Sequence, residues 1–365
     1  MSDSTGKDYD ILMHDQAYQG LVDYLESLKT GALSAGGYLQ AQLQGLDLGR
    51  LSIDAFLDCL LNTKQPQIFA ESAVHGDGRD WNEHELKLLG AIGVAVPVEV
   101  YDDGRHHEPV AHAEPFAAHL LFTAGALLRN GRGQIPVDWD VVGADDEIDP
   151  ERYYRLYLHR LLPLLWHANE IAGAAGKQAF ITVPGLGCGQ FAGKFIGRLG
   201  ENLKQVLLRL LSEHHTRLGN IRALYFDTYS ECDNERFEIG HLSFLTRPLS
   251  RGNQDKPQLC PPRRYQEPGD DFGECRLFSV VAWDHVSWPG NDFYAGARAT
   301  DDGVKAAATS SMAAITGFKG HYDQASGTYN PLPPYRTWAE LVQNNGLRLK
   351  TAGCLRIMPP PNSEA

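Results

Sequence analysis

At 365 residues the chain exceeds the ~100 to 200 residues of an average domain, so one large domain with an appendage, or two domains, is the starting expectation. A formal net charge of -13 argues against nucleic acid as the main partner, because a phosphate backbone calls for an excess of Lys and Arg. The apolar content of 43% includes no run of ~18 residues able to span a bilayer, and the opening MSDSTGKDYD lacks the apolar core of a signal peptide, which together read as a soluble chain with no membrane partner.

The six cysteines, Cys59, Cys188, Cys232, Cys260, Cys275 and Cys354, form no CxxC pair. They give neither a zinc framework nor a disulfide scaffold, and reduced thiols in a cytosolic setting are the default. Over the first 72 residues Leu21, Tyr24, Leu25 and Leu28 fall on one helical face, and residues 51–61 repeat that spacing, so a helical extension is expected over residues 1–72. The main domain is expected over 73–355. Within it AVPVEVY (95–101) reads as a strand, at a sheet edge because of Pro97, before a turn at Asp102, Asp103 and Gly104. Residues 116–128 read as a helix. An acidic, turn-rich passage over 138–149 then leads into a buried helix over 153–171.

The next unit is strand AFITV (179–183), loop PGLGCGQFAG (184–193), a helix with Leu203, Val206, Leu207, Leu210 and Leu211 on one stripe, and strand IRALYFD (221–227). Strand, helix and strand with one apolar helical face imply a parallel sheet and an α/β fold. Residues 256–268 read as a Pro-rich loop and RLFSVVAWD (276–284) as another buried strand. A helix is expected over 302–315, and a disordered tail over 356–365.

Gly185, Gly187, Gly189 and Gly193 stand between a strand and a helix, where backbone N–H groups and the positive end of a helix dipole suit phosphate. The pattern is neither a P-loop nor the dinucleotide GxGxxG. Gln190 and Phe191 face either a ligand or the core, and Cys188 reads as a packing residue. Further on, Asp284, Asp292, Asp301 and Asp302 cluster among Trp, Gly and Asn over 281–307. Carboxylates and glycines at a strand-to-helix transition suit a polar ligand better than they suit core packing.

PGLGCGQFAG, its helix and IRALYFD resemble the phosphate loop, helix and last core strand of macrodomains, the ADP-ribose-binding α/β/α fold, and GLGCGQFAG is similar to the loop of poly(ADP-ribose) glycohydrolases. In ordinary macrodomains the Asn- and Gly-rich catalytic loop precedes the phosphate loop, whereas GNDFYAGARATDDGVKAA follows it here, which implies a macrodomain-like three-layer sheet with rearranged, permuted strand order. WDHVSWPGNDFYAGARATDDGVKAA resembles the MavL-type macrodomains, which remove ADP-ribose from arginine, including arginine on ubiquitin. The resemblance covers roughly residues 75–350. It places three catalytic aspartates on Asp284, Asp292 and Asp302, leaving Asp301 as the helix-capping residue. The GGG and QEE signature of the glycohydrolases is absent, which argues against cleavage of long polymers.

The resemblance implies an ADP-ribosylhydrolase needing no metal or other cofactor, with ADP-ribose as ligand and product. An ADP-ribosylated protein is its partner, in the cytoplasm or, for a secreted effector, a host cytosol. Cleavage of the ribose C1–nitrogen bond develops positive charge on the ribose. One carboxylate stabilises that charge, a second activates water and a third holds the guanidinium. Asp302 is assigned to the ribose and water, Asp284 and Asp292 to the arginine side. Asn291 serves either ribose hydroxyls or a turn, and Gly303 lies on the following helix. Phe226, Asp227 and Tyr229 stand where adenine would stack, and Arg298 pairs with diphosphate or with Asp301. HHEPVAH over 106–112 reads as a solvated loop, since Pro109 excludes a helical metal motif. The competing readings are a non-catalytic ADP-ribose reader, a poly(ADP-ribose) glycohydrolase-like enzyme, and a magnesium-dependent hydrolase using the same aspartates.

Overall fold

The computed structural model describes residues 6–351 and 354–360. Nine strands form its main sheet: β1 Asp10–Met13, β2 Gly93–Asp102, β3 Ala111–Ala124, β4 Ala179–Pro184, β5 Ile221–Asp227, β6 Glu235–Ile239, β7 Leu242–Thr246, β8 Arg276–Trp283 and β9 Leu355–Ile357. Their order is β9-β1-β2-β3-β8-β4-β5-β7-β6. The run from β3 through β8, β4 and β5 to β7 is parallel, while β2 and β6 join it antiparallel.

Alternation along each central strand sends side chains to two cores. Leu277, Val281 and Trp283 of β8 enter one, with Tyr24 and Leu25 of α1 (Asp15–Lys29), Phe56 and Leu60 of α2 (Ile53–Leu61) and Leu89 of α3 (Glu83–Gly90). Phe278 and Val280 enter the other, with Leu161 and Leu165 of α4 (Pro150–Ala174) and Leu203 and Leu207 of α5 (Leu199–His214). The result is the expected three-layer α/β/α arrangement around a mixed sheet.

Several local expectations are corrected. Residues 116–128 contain no helix: β3 occupies Ala111–Ala124, and from Ala118 onward it is buried on both faces between β2 and β8. An apolar run of that kind carries no period that separates a central strand from a buried helix. β2 is interior rather than an edge. Its Pro97 is tolerated because β1 pairs only with Gly93, Val94 and Ala95, so at Pro97 that side of β2 is locally unpaired by β1. The helix expected over 302–315 is two, α6 Asp301–Ala307 and α7 Ser311–Thr316, interrupted where Thr309 bridges to Val100 of β2.

The first 72 residues are helical but also supply β1, which lies between β9 and β2 in the main sheet. At the other terminus, Arg356 and Ile357 of the expected tail belong to β9, paired in parallel with β1. Residues 361–365 lie outside the described residues.

Candidate functional site

Because β3, β8, β4 and β5 run parallel, the segments leaving their carboxyl ends meet along one rim, the position where open α/β sheets bind ligands. Residues 125–129 leave β3, the acidic segment leaves β8, the glycine loop leaves β4, and residues 228–232 leave β5.

The glycines divide between two jobs. At Gly187, with φ +72°, a Cβ would stand 2.8 Å from the Ala126 nitrogen, and at Gly193, with φ +55°, 2.7 Å from the Leu128 oxygen. These two let the loop lie backbone to backbone against residues 125–129. Nothing crowds Gly189, which is exposed together with Gln190. A 3-10 turn, Gln190–Phe195, follows, and among the described residues its first N–H groups have no acceptor, as at any uncapped helical start. The regular helix α5 begins only at Leu199, and the Glu231 carboxylate already accepts from its Gly200 N–H at 2.5 Å. The anion site expected at that helix start is therefore occupied by the protein itself, and the open donors lie at 189–191. Gln190 accepts from Arg129 at 2.7 Å, and the Phe191 ring lies 6.2 Å from that of His285, tying the glycine loop to the acidic segment. Cys188 is buried, which pushes its thiol well above the usual range and leaves it without nucleophilic character.

On the acidic segment every aspartate singled out as catalytic is buried. Asp284 accepts from the Val286 and Ser287 N–H groups, both at 2.7 Å, and from the Ala70 N–H at 3.1 Å. Asn291 accepts from the Ile68 N–H at 3.2 Å, so these two side chains hold residues 68–70 across the site. Asp292 accepts from the Ala299 and Thr300 N–H groups and from the Thr300 hydroxyl. Gly303 is required beside it, since a Cβ there would fall 1.9 Å from Asp292 Oδ1. Asp302 differs: Oδ1 accepts from the Gly290 N–H at 2.7 Å, and among the described residues no donor reaches Oδ2. Burial pushes the Asp302 carboxyl well above the usual carboxylate range, with Asp292, Asp284 and Asp301 adding like charge.

Other expectations fall away. Thr300, not Asp301, caps α6, accepting from the Gly303 N–H. Asp301 instead accepts from the Ala282 N–H at 2.8 Å and from Lys305 at 3.1 Å. Arg298 forms a two-pronged pair with Asp102, at 2.5 and 2.9 Å, rather than with Asp301. Phe226 is fully enclosed in the second core against Phe244, so it has no face for a base. Asp227, raised by burial, accepts from the Tyr229 and Leu249 N–H groups, and Tyr229 itself is 67% exposed with φ +64°. Of the three residues considered for adenine, Tyr229 is the one whose ring is available.

Sequence reasoning missed three groups. Lys64 is buried, with Nζ 2.5 Å from the His285 carbonyl and 4.0 Å over the Trp283 ring. Burial lowers it to about 7 against the opposing charges of Asp284 and Asp302. Glu71, raised by burial and by Asp284, has an oxygen that no donor reaches among the described residues. Finally, Arg160, Asp138 and His285 form a buried network: Asp138 pairs with Arg160 at 2.9 Å and lies 3.3 Å from His285 Nε2. Burial opposes the Asp138 charge, but Arg160 and His285 more than reverse that and hold the carboxyl below its usual range. All three depend on contacts between residues far apart in the chain, so no local pattern announced them.

The rim thus combines open backbone donors, an exposed aromatic ring and a buried carboxylate cluster in which, among the described residues, no donor reaches Asp302 Oδ2 or Glu71 Oε2. A family model described as the macrodomain effector MavL matches residues 9–335. No curated protein matches the chain.

Proposed function

The chain belongs to the MavL macrodomain effector family, with an ADP-ribose-related activity in binding or hydrolysis, and from that premise we propose that it releases mono-ADP-ribose from arginine side chains of proteins. The observation carrying the hydrolytic reading is Asp302, a buried carboxyl with an unengaged oxygen, set among Asp284, Asp292 and Glu71 on the same rim as the glycine loop. A reader of ADP-ribose needs the loop but not such a cluster.

In the proposed reaction the diphosphate lies on the donors at 189–191, with Tyr229 beside the adenine. Water adds to ribose C1 while the C1–nitrogen bond breaks, its electron pair leaving with the guanidino nitrogen. That nitrogen takes a proton from solvent water, the attacking water gives one up to Asp302, and Asp302 then returns its proton to solvent, so that one water is consumed overall. A carboxylate raised toward neutrality is the better base near pH 7, and its negative charge stabilises the developing oxocarbenium ion. Asp284 and Asp292 face the arginine side. Their oxygens already accept N–H groups, yet each retains lone pairs for a guanidinium.

The reading is tested by incubating the protein with arginine-, glutamate- and serine-linked ADP-ribosyl proteins, ubiquitin among them, and measuring free ADP-ribose by chromatography with and without EDTA. Release from the arginine linkage, unaffected by EDTA, is expected. Tight binding without release would identify a reader, loss of release in EDTA a metal-dependent enzyme, and cleavage of another linkage alone would overturn the specificity. Membership of an effector family fits delivery into a host cell, and among the described residues no helix is long and apolar enough to cross a membrane.

A further inference from the structure

We infer that His285, gripped by the buried pair Asp138 and Arg160, is a positioning residue: it ties the turn after β8, which carries Asp284, to the loop after β3, which backs the glycine loop. The catalytic consequence rests on the hydrolase reading above; the mechanical one does not.

The tie is a continuous chain of hydrogen bonds. Tyr157 and Arg160 stand one helical turn apart on α4, so both reach the same side of it. The Tyr157 hydroxyl accepts from the Ala126 N–H at 3.0 Å and donates to the Leu186 carbonyl at 2.7 Å, which joins the loop after β3 to the glycine loop. Arg160 donates to the Gly125 carbonyl at 3.0 Å and to both oxygens of Asp138, at 2.9 and 3.1 Å. Asp138 Oδ2 accepts in turn from the Leu127 N–H at 2.7 Å and lies 3.3 Å from His285 Nε2. His285 directly follows Asp284, and its carbonyl is held from the other side by Lys64.

A buried ion pair needs no third polar group, and an imidazole enclosed beside it is costly unless it hydrogen-bonds. His285 and Asp138 are both wholly enclosed. Room is kept for the ring by Gly90 at the end of α3, where a Cβ would fall 2.4 Å from His285 Cδ2 and 2.9 Å from Arg160 Nη2. Burial lowers the basicity of His285, so the ring is neutral and carries one N–H. Arg160 Nη2 also lies 3.3 Å from Nε2 but already donates to Asp138, and among the described residues nothing pairs with Nδ1. The proton therefore belongs on Nε2, where Asp138 accepts it.

His285→Met fills the same space and removes the bond while leaving Asp138 and Arg160 paired; His285→Gln restores a donor toward Asp138. Amide hydrogen exchange is followed at Val286 and Ser287, whose N–H groups Asp284 accepts, against amides in the middle of β5. In His285→Met, exchange at 286 and 287 is expected to accelerate about tenfold or more relative to β5, and His285→Gln to recover most of that protection. In the arginine-linkage assay His285→Met should lower kcat about 10- to 100-fold, as a displaced carboxylate does, with ADP-ribose affinity within a few-fold of wild type and kcat restored in His285→Gln. Acceleration equal throughout the chain, none at all, or a defect shared by Gln and Met would overturn the proposal, because a packing role favours Met and a loss of global stability spares no segment. Should His285→Met fail to fold, the ring 15N shifts of His285 in the wild type decide: a proton on Nε2 supports the tie, and a proton on Nδ1 refutes it. If the wild type releases ADP-ribose from no linkage, the hydrolase reading fails while the exchange ratio still decides the role of His285.

Discussion

The acidic segment after β8 and the glycine loop after β4 leave adjacent parallel strands, yet they are constructed in opposite ways. Asp284 and Asp292 are buried and each held by several backbone N–H donors, so that part of the candidate site is fixed by the fold itself. The glycine loop is anchored at Gly187 and Gly193 but left exposed at Gly189 and Gln190. The carboxylates are therefore preorganised, a condition for electrostatic catalysis, while the loop offers an accessible surface, to which the proposed function assigns the diphosphate. Asp302 belongs to the fixed half, but among the described residues no donor reaches its Oδ2, and the proposed function uses that oxygen to take the proton of the attacking water.

The largest effect that would sharpen this contrast is at Asp302. Asp302→Asn should lower hydrolysis about 100- to 10,000-fold, the usual range for a lost general base, while ADP-ribose affinity by calorimetry stays within a few-fold. The sign of the wild-type pH dependence follows from the same residue. With its carboxyl raised by burial, activity falls as pH drops through that raised value, well before ordinary carboxylates titrate. An acidic limb at an ordinary carboxylate value would break the assignment.

Next come the glycines, where the two halves should fail differently from surface positions. Gly303→Ala drives a Cβ into Asp292 and should cost about 1 to 3 kcal/mol in stability, read as a lowered Tm. Gly187→Ala combines positive φ with backbone contact at 2.8 Å and should destabilise by a similar amount. Gln190→Ala removes only an exposed hydrogen bond to Arg129, so Tm should hold within experimental scatter while ADP-ribose affinity declines a few-fold. The smallest effect belongs to Cys188. As an enclosed thiol held protonated, it should react slowly with iodoacetamide at neutral pH, and Cys188→Ala should retain hydrolysis.

The parallel unit around β4 and β5 was legible in the sequence because a glycine loop separates two strands and the intervening helix has a clean apolar stripe. β3 was not, since a strand enclosed on both faces loses the alternation that identifies it. In the site, spacing brought out Asp284, Asp292 and Asp302. It could not distinguish the two whose oxygens all serve neighbouring groups from Asp302, whose Oδ1 accepts from Gly290 while no donor reaches Oδ2 among the described residues. Lys64 and Asp138 escaped for a related reason: each acquires its significance from a partner more than a hundred residues away, His285 in both cases. Phe226 shows the converse error, an aromatic at a strand end whose ring the fold consumes in its core.

The central claim is that the fixed carboxylates and the open loop form one ADP-ribose site. The most direct measurement is an NMR titration of the 15N-labelled protein with ADP-ribose. The account predicts that amide shifts concentrate in two stretches, residues 185–191 and 290–303, with Tyr229 moving alongside them. A cavity of about 700 Å³ lies elsewhere, lined by residues including Leu28, Leu33 and Leu46. Shifts confined to that cavity, or to only one of the two stretches, would contradict the account.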